Sequence, residues 1–478
     1  MSDELTRQPA AGESAHGLRR QLGLRDLVLM QILNVVGTSW VGVAAGLGHA
    51  QLVMWVAAML LFNAPMAASV IGLNRVMPLE GGLYVWAREA FGDLGGFVTA
   101  WNLWVYGVAV TATILYSTPT EIAYLLGPEA KWLPESHWAS LTIVSALVLG
   151  VMAAALRGLN VGKWIHNIGG AAILVVFGVL ILLPLWGWAR GVPMHWEPLR
   201  VAMPAANLRS LALFGQMMFG ALCGLEYAAI LAGECKDPAR TIGQSVWIAA
   251  PIICLMFVLG TGSVQAFVPV GRIDFIAPIP ETLRAALGNT GLGNVVAMVA
   301  IGLLEIRLLG ASSLLFTGTT RLPMTAGWDR LVPKWFTRLH PRWRTPSNSI
   351  LFAAALVLGM LLMASAGVHA QEAFELLTNA SLMHYAVAYL AMFAIPLVGM
   401  KKLRRHLPLW LKVTSAVGLA ATAFSMVIIV YPFVQVVDAR EYAMKIGGTL
   451  LTSNAVGLVF FAVRKRAALR EDGTASRA

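Results

Sequence analysis

Asn34-Val35-Val36-Gly37-Thr38-Ser39-Trp40-Val41-Gly42 lies inside an apolar run over residues 24–48, and Phe219-Gly220-Ala221-Leu222-Cys223-Gly224-Leu225-Glu226 lies inside another over 207–233. A bilayer core takes roughly 20 apolar residues per helical span, so each run is long enough to cross. Each is interrupted near its middle by glycines and small polar residues. In hydrocarbon, non-helical backbone is tolerated only where protein buries it or where it lines a cavity. Each interruption is therefore a candidate for an internal site.

The rest of the chain sets the two runs in matched positions. Of its 478 residues, 58% are hydrophobic and only 12% are charged, against about a quarter charged in soluble domains. Apolar runs and polar breaks predict twelve spans. Ten lie near 24–48, 52–73, 94–125, 139–156, 165–187, 207–233, 245–268, 293–320, 348–368 and 374–398; two more lie near 409–432 and 442–463. The interrupted spans are the first and the sixth, so they open two successive halves of five spans. Five is odd, and the second half must run inverted relative to the first. Interrupted helices at matched places in inverted repeats point to a transporter's binding site. Exposed amides and a half-helix dipole there suit a carboxylate, while freed carbonyls suit a cation. Taken singly, either segment also fits glycines that merely permit close helix packing; the matched placement favours a site.

The expected fold is thus an all-α membrane protein of 12 transmembrane helices. Residues 24–400 form a 5+5 inverted-repeat core with discontinuous helices 1 and 6, and 401–464 form two peripheral helices. Residues 1–23 and 465–478 read as solvated tails, the first without the apolar core of a cleaved signal peptide.

The net charge of +11 raises nucleic acid as a partner, and its distribution removes that reading. With twelve spans, 25 Lys and Arg residues fall on the side of the two termini and 8 on the other, Arg307 and Lys412 lying within spans. This is the positive-inside pattern, and it predicts a multi-pass cell-membrane protein with both termini cytoplasmic and the lipid bilayer as its surroundings. Cys223, Cys235 and Cys254 make no even framework and no zinc spacing. Neither a metal nor a cofactor is expected.

Beyond the breaks, several segments resemble the amino acid–polyamine–organocation (APC) superfamily of permeases. Pro78-Leu79-Glu80-Gly81-Gly82-Leu83-Tyr84 and Phe91-Gly92 are similar to its Pro-x-x-Gly-Gly-x-Tyr and Phe-Gly pattern. Gly233-Glu234-Cys235-Lys236-Asp237-Pro238-Ala239-Arg240-Thr241-Ile242 resembles its Gly-Glu-x-x-Asn-Pro-x-Arg-x-Ile-Pro. Asp329-Arg330-Leu331-Val332-Pro333 and Thr345-Pro346 resemble its Arg-Asp-Gly-x-x-Pro and Thr-Pro signature. Order and spacing together make the likeness specific over roughly residues 20 to 400.

The resemblance implies roles. Gly37-Thr38-Ser39 stands where the family has Gly-Ser-Gly, whose amides hold a substrate carboxylate; Ser39 replaces the last glycine. Gly224-Leu225-Glu226 matches Gly-Phe-Glu, whose glutamate is tied to proton-coupled gating in arginine–agmatine antiporters. Tyr106 takes the span-three place of a site tyrosine, and Ile114 the place where arginine-specific relatives carry asparagine. Upstream of Glu226 the family often has an aromatic over the substrate; here stand Gly220 and Leu222, with Phe219 and Tyr227 as neighbouring substitutes. Span five lacks the lysine that replaces sodium in some members, Lys163 lying at its cytoplasmic mouth.

An ionisable residue deep in a bilayer costs about 2.5 kcal/mol or more and is a functional candidate by default. Glu226 is the proton-coupling candidate, with a structural hydrogen bond to the broken helix as the alternative. Glu305 and Arg307, two residues apart, face away from each other on a helix, so each needs another partner. Asn34, Asn63, Asn102, His166 and His384 are expected to be satisfied structurally, and Trp101 and Trp104 to serve packing.

The sequence therefore predicts a transporter of amino acids or related amines working by alternating access. Substrate is expected on Gly37, Thr38, Ser39, Tyr106, Gly220, Ala221 and Gly224, with protons or an exchanged amine as possible co-substrates. A polyamine permease and a non-transporting amino acid sensor of the same fold stay open, although sensors usually carry longer soluble extensions. Ser39 followed by Trp40 breaks the Gly-x-Ser-Gly setting of a membrane serine protease, and no filter-like repeat suggests a channel.

Overall fold

The computed structural model describes residues 22–77, 82–195, 201–226, 235, 237–324, 331–333, 335–364, 369–398 and 407–475. Within them the regular structure is helical, apart from one parallel bridge between Leu22 and Cys235. The main helices are α1 (Leu24–Val35), α2 (Ser39–Ala45), α3 (Gly48–Val76), α4 (Leu83–Tyr116), α5 (Thr118–Leu126), α6 (His137–Arg157) and α7 (Leu159–Arg190). They continue with α8 (Leu208–Leu222), α9 (Pro238–Phe267), α10 (Pro278–Leu287), α11 (Gly291–Arg321), α12 (Ser347–Ala364), α13 (Ala370–Val398), α14 (Leu409–Ile428) and α15 (Ala439–Ala475).

Among the described residues, ten helices are long and apolar enough to cross a membrane, and α1 with α2, bent by 51°, makes an eleventh. Helix α8 is apolar but shorter, and the stretch after it, 227–234, lies outside the described residues. The chain is an all-helical, multi-pass membrane protein. Helix α4 joins two helical stretches at Gly92, the first carrying Arg88 and Glu89 and the second starting close to the expected 94. Gly92, at φ 81°, breaks the helix there, in a conformation that side chains resist. Helix α15 runs on to Ala475 because the charged residues past 463 are good helix formers.

Two long pairs make the centre, α4 against α13 and α7 against α11; α1 lies against α7, α9 and α11. Small residues set these distances, as expected where lipid supplies no hydrophobic drive between helices. A Cβ on Gly310 would stand 3.1 Å from the Gly169 Cα and 3.3 Å from the Ile165 carbonyl, so α7 and α11 meet backbone to backbone. Helix α14 packs on α3, α8 and α13 and bonds through Ser415 to Ser69 at 3.1 Å. Helix α15 is the more peripheral, 17% of its apolar window being buried against 39% for α14.

Gly310→Leu forces backbone against backbone, and overpacking of this kind costs on the order of 1–3 kcal/mol. The variant is expected to melt several degrees below wild type in detergent. Gly302→Leu on the same helix, with nothing within 4 Å of its Cβ position, is expected to melt with wild type.

Candidate functional site

The break between α1 and α2 leaves backbone groups without helical partners, and specific side chains meet them. Gly37 N–H closes on Val35 O at 2.8 Å. The Val36 carbonyl accepts from the Arg307 guanidinium of α11 at 2.5 Å. Two residues earlier, Asn34 Nδ2 reaches across to Gly224 O at 3.0 Å, so the bend in the first span is bonded to the segment that follows α8.

The second break is built on Gly224. Its φ is +116°, and a Cβ would meet Asn34 Nδ2 at 2.7 Å, so both conformation and space demand glycine. Its N–H donates to the Tyr389 hydroxyl of α13 at 2.8 Å. Tyr389 in turn donates to Glu226 Oε2, and Tyr385, one turn away on α13, donates to Glu226 Oε1. Glu226 is 1% exposed and both its oxygens are engaged. Phe62, in the π-helical turn Met59–Asn63, stacks on Tyr389 at 5.5 Å and braces the cage.

The bend and the end of α8 flank a small cavity of about 80 Å³, lined by Gly37, Thr38, Ser39, Tyr106, Gly220 and Arg307 among others. By the same measure a water needs about 10–15 Å³, so the space holds only a few. Trp40 explains why it is small. A Cβ on Gly37 would stand 2.5 Å from the Trp40 ring, and one on Gly220 would stand 2.3 Å from its far edge. The indole lies against both glycines, and the aromatic sought upstream of Glu226 comes instead from the first span. Phe219 is buried away from the cavity against Phe62 and Tyr389, and Tyr227 lies outside the described residues.

Not every expected residue reaches this space. Ala221, Gly224, Glu226 and Glu305 do not line it. Glu226 is linked to it through Tyr385, whose ring stacks on Tyr106 with centroids 3.6 Å apart. Glu305 and Arg307 make no pair with each other. Asn102 bonds Asn454, His384 bonds Ala380 O and Ser453, and Asn63 bonds Cys254; these are structural. Trp101 donates to Ser453 O and Trp104 stacks on Phe352, as packing residues do.

A second, open cavity of about 510 Å³ is lined by Tyr116, Glu135, His137, Asp274, Ile276 and His369 among others. Ile276 lines both cavities and so forms the partition between them. Its backbone is held by Asp274, which accepts from Ile276 N–H at 3.0 Å and from Tyr124 at 3.2 Å. Glu281 of α10 accepts from Asp274 N–H at 2.8 Å. Burial raises the Asp274 carboxyl above its usual range and pushes Glu281 up to about 7. On the opposite side of the small cavity, Lys163 pairs with Asp26 at 2.9 Å and Asn167 bonds the same carboxylate at 2.9 Å, tying α7 to the start of α1. A further cleft of about 440 Å³ near Leu52, Pro184 and Val258 is remote from both breaks.

Sequence reasoning passed over three residues of the centre. Glu121 on α5 is fully buried and within electrostatic reach of Arg307; an acid near the end of an apolar run reads as a helix mouth. Tyr385 and Tyr389 are four apart on one face of α13, a spacing that reads equally as packing. The motif parts Pro78-Leu79-Glu80-Gly81, Gly233-Glu234 and Asp329-Arg330 lie outside the described residues. Thr345 of the Thr-Pro pair donates to Leu156 O at 2.8 Å and pins its loop to the end of α6.

The bend between α1 and α2 and the end of α8 are thus bonded to each other beside one cavity, in a multi-pass helical membrane protein. Residues 22–459 match the amino acid permease family, and the chain belongs to that family, within the APC superfamily. It is 26% identical over 86% of its length to an uncharacterized transporter of Mycobacterium tuberculosis, covering 87% of that protein. It is 23% identical to a branched-chain amino acid permease of Bacillus subtilis, over 70% of this chain and 73% of that one. A putative arginine/ornithine antiporter of Escherichia coli is 24% identical over 60% and 61% of the two chains.

Because Glu281 binds its proton more tightly folded than unfolded, its favourable contribution is fully present below about pH 4.5 and is lost as pH rises through about 7. Wild type is therefore expected to lose stability relative to Glu281→Gln between about pH 4.5 and 8, read as the gap between their melting temperatures. A gap that does not change with pH contradicts this.

Proposed function

We propose that this permease is a secondary transporter of amino acids or related amines working by alternating access. The observation that carries the reading is the single cavity shared by the two helix breaks, in a chain whose family is amino acid permeases. Gly37, Thr38 and Ser39 supply backbone for the substrate's carboxylate, and Tyr106 and Gly220 wall the remainder. Ala221 and Gly224 act from behind, Gly224 as the joint of the second break. The count of twelve spans is completed by reading α8 as the first half of a broken sixth span, and the inverted 5+5 arrangement follows from the matched breaks. The surplus of Lys and Arg assigns both termini, and the Lys163–Asp26 pair, to the cytoplasm. The open cavity beyond Ile276 is then an outer vestibule. The cationic Arg307 in the cavity wall argues against a polyamine, whose charges it would repel.

Glu226 is the proposed proton-linked gate. Both its oxygens accept from tyrosines. Protonation turns one oxygen into a donor, so the tyrosine on that oxygen, Tyr385 beside Tyr106 or Tyr389 on Gly224, must turn its own O–H away and accept instead. At Tyr389 this competes with the Gly224 N–H and loosens the joint on which the broken sixth span turns.

In proteoliposomes loaded with unlabelled amino acids, wild type is expected to exchange external labelled amino acid. Gly37→Leu, whose side chain must displace Trp40, is expected to abolish exchange while expressing normally; normal exchange removes the first break from the site. Glu226→Gln is expected to flatten the pH dependence of the exchange rate, and an unchanged profile sinks the gating role.

A further inference from the structure

The buried acids of this protein are not equally provided for. Glu226 accepts from two tyrosines, and Glu375 accepts at Oε1 from Gln216 at 3.3 Å and from Phe433 N–H at 3.1 Å, its Oε2 having no partner among the described residues. Glu121 is 0% exposed and has one long contact, from Ser117 Oγ at 3.4 Å to Oε1. Its Oε2 has no hydrogen-bond partner among the described residues. Arg307 is equally underused. It is 3% exposed, its Nε has no partner, and among the described residues no carboxylate oxygen closes to within 4.0 Å of it. The two side chains feel each other's charge without forming a contact pair. Arg307 and Ser117 line the small cavity, so both groups that touch or balance Glu121 also face the space assigned to substrate.

A buried charge must be compensated, and a guanidinium holds a carboxylate better than it holds a distant one. On the reading of this cavity as the substrate site, we propose that Glu121 is a second proton site, coupled to substrate through Arg307. A substrate carboxylate that pairs with Arg307 takes the counter-ion of Glu121. Glu121 then takes a proton from hydronium in vestibule water: an O–H bond forms at its free oxygen, one O–H bond of the hydronium breaks, and neutral water remains. Arg307 keeps one carboxylate partner in each state, and the charge carried across is that of the substrate plus one proton. When substrate leaves toward the cytoplasm, Glu121 returns its proton to water and recovers Arg307. One proton thus travels with each carboxylate-bearing substrate, while Glu226 governs the rate.

The groups that face α5 agree with this assignment. Helix α11 presents Arg307 and Glu305, and the Glu305 charge adds repulsion once Arg307 is engaged elsewhere. The segment before α10 presents Asp274, also within electrostatic reach of Glu121. Helix α10 presents Glu281, and Arg284, which is committed to Tyr124 O and Leu125 O at 2.7 Å each. Glu135 and His137 stand farther out on the vestibule wall with Tyr116, and Glu129 lies in the turn after α5. Tyr124, on α5 itself, is bonded to Asp274. Arg307 is thus the cation that faces the small cavity.

The test uses full-length protein in proteoliposomes with an entrapped pH dye and tritiated leucine, glutamate and arginine as probes. Under an inward proton gradient, wild type is expected to accumulate at least one probe and to acidify the lumen by about one proton per molecule. Glu121→Gln is expected still to exchange that probe in counterflow, while accumulation and probe-evoked acidification fall to the level of empty liposomes. Acidification that survives in Glu121→Gln, or wild-type exchange without acidification, overturns the proposal and leaves the transport reading standing. Absence of wild-type exchange with all three probes removes the transport reading and the coupling with it. If Glu121→Gln does not reconstitute, Glu121→Asp decides: the half-maximal external pH of acidification is expected to shift by about half a unit or more, and an unshifted profile overturns the proposal.

Discussion

A bilayer offers no water to a released backbone group, so a helix broken inside it must find every partner within the protein. The structure around the two breaks is organised by this constraint. Arg307 takes the Val36 carbonyl, Asn34 takes the Gly224 carbonyl, and Tyr389 takes the Gly224 amide. These three bonds draw α11 and α13 against the broken spans and fix where the cavity lies. They also place a permanent cation where a freed carbonyl would otherwise be open to a bound one.

The same region shows how the chain departs from its family without losing the site. Serine and tryptophan follow Thr38, and glycine stands at 220 where an aromatic is usual. The two departures are complementary, because the Trp40 ring occupies the space that a side chain at 220 would fill. The ring lies on Gly37 and Gly220 together, so it meets both the bend of the first span and helix α8.

The bend at Gly37 and the end of α8 before Gly224 were readable from glycines matched in place, and the spans because their length is dictated by the bilayer. Gly37, Thr38, Ser39, Tyr106, Gly220 and Arg307 do share one cavity. What the sequence did not show is pairing across space. Glu226 was legible as a buried acid, but its tyrosine cage, from residues some 160 positions away, was not. Glu121 was hidden by its place near the end of a predicted span, where charges usually reach water; the short helix α5 instead turns inward against α10 and α11. The close packing of α14 was likewise set by tertiary contact rather than by hydropathy.

Cys223 offers the most direct measurement of whether substrate occupies the cavity between the breaks. It lines that cavity, and the chain has only two other cysteines, Cys235 and Cys254. In a Cys235→Ala, Cys254→Ala protein reconstituted in liposomes, a small thiol-reactive reagent is expected to label Cys223 as the cavity opens and to block exchange. The account predicts that a saturating exchanged amino acid slows this labelling, whereas one that is not exchanged leaves it unchanged. Labelling at the same rate with and without the exchanged amino acid would contradict the placement of the site.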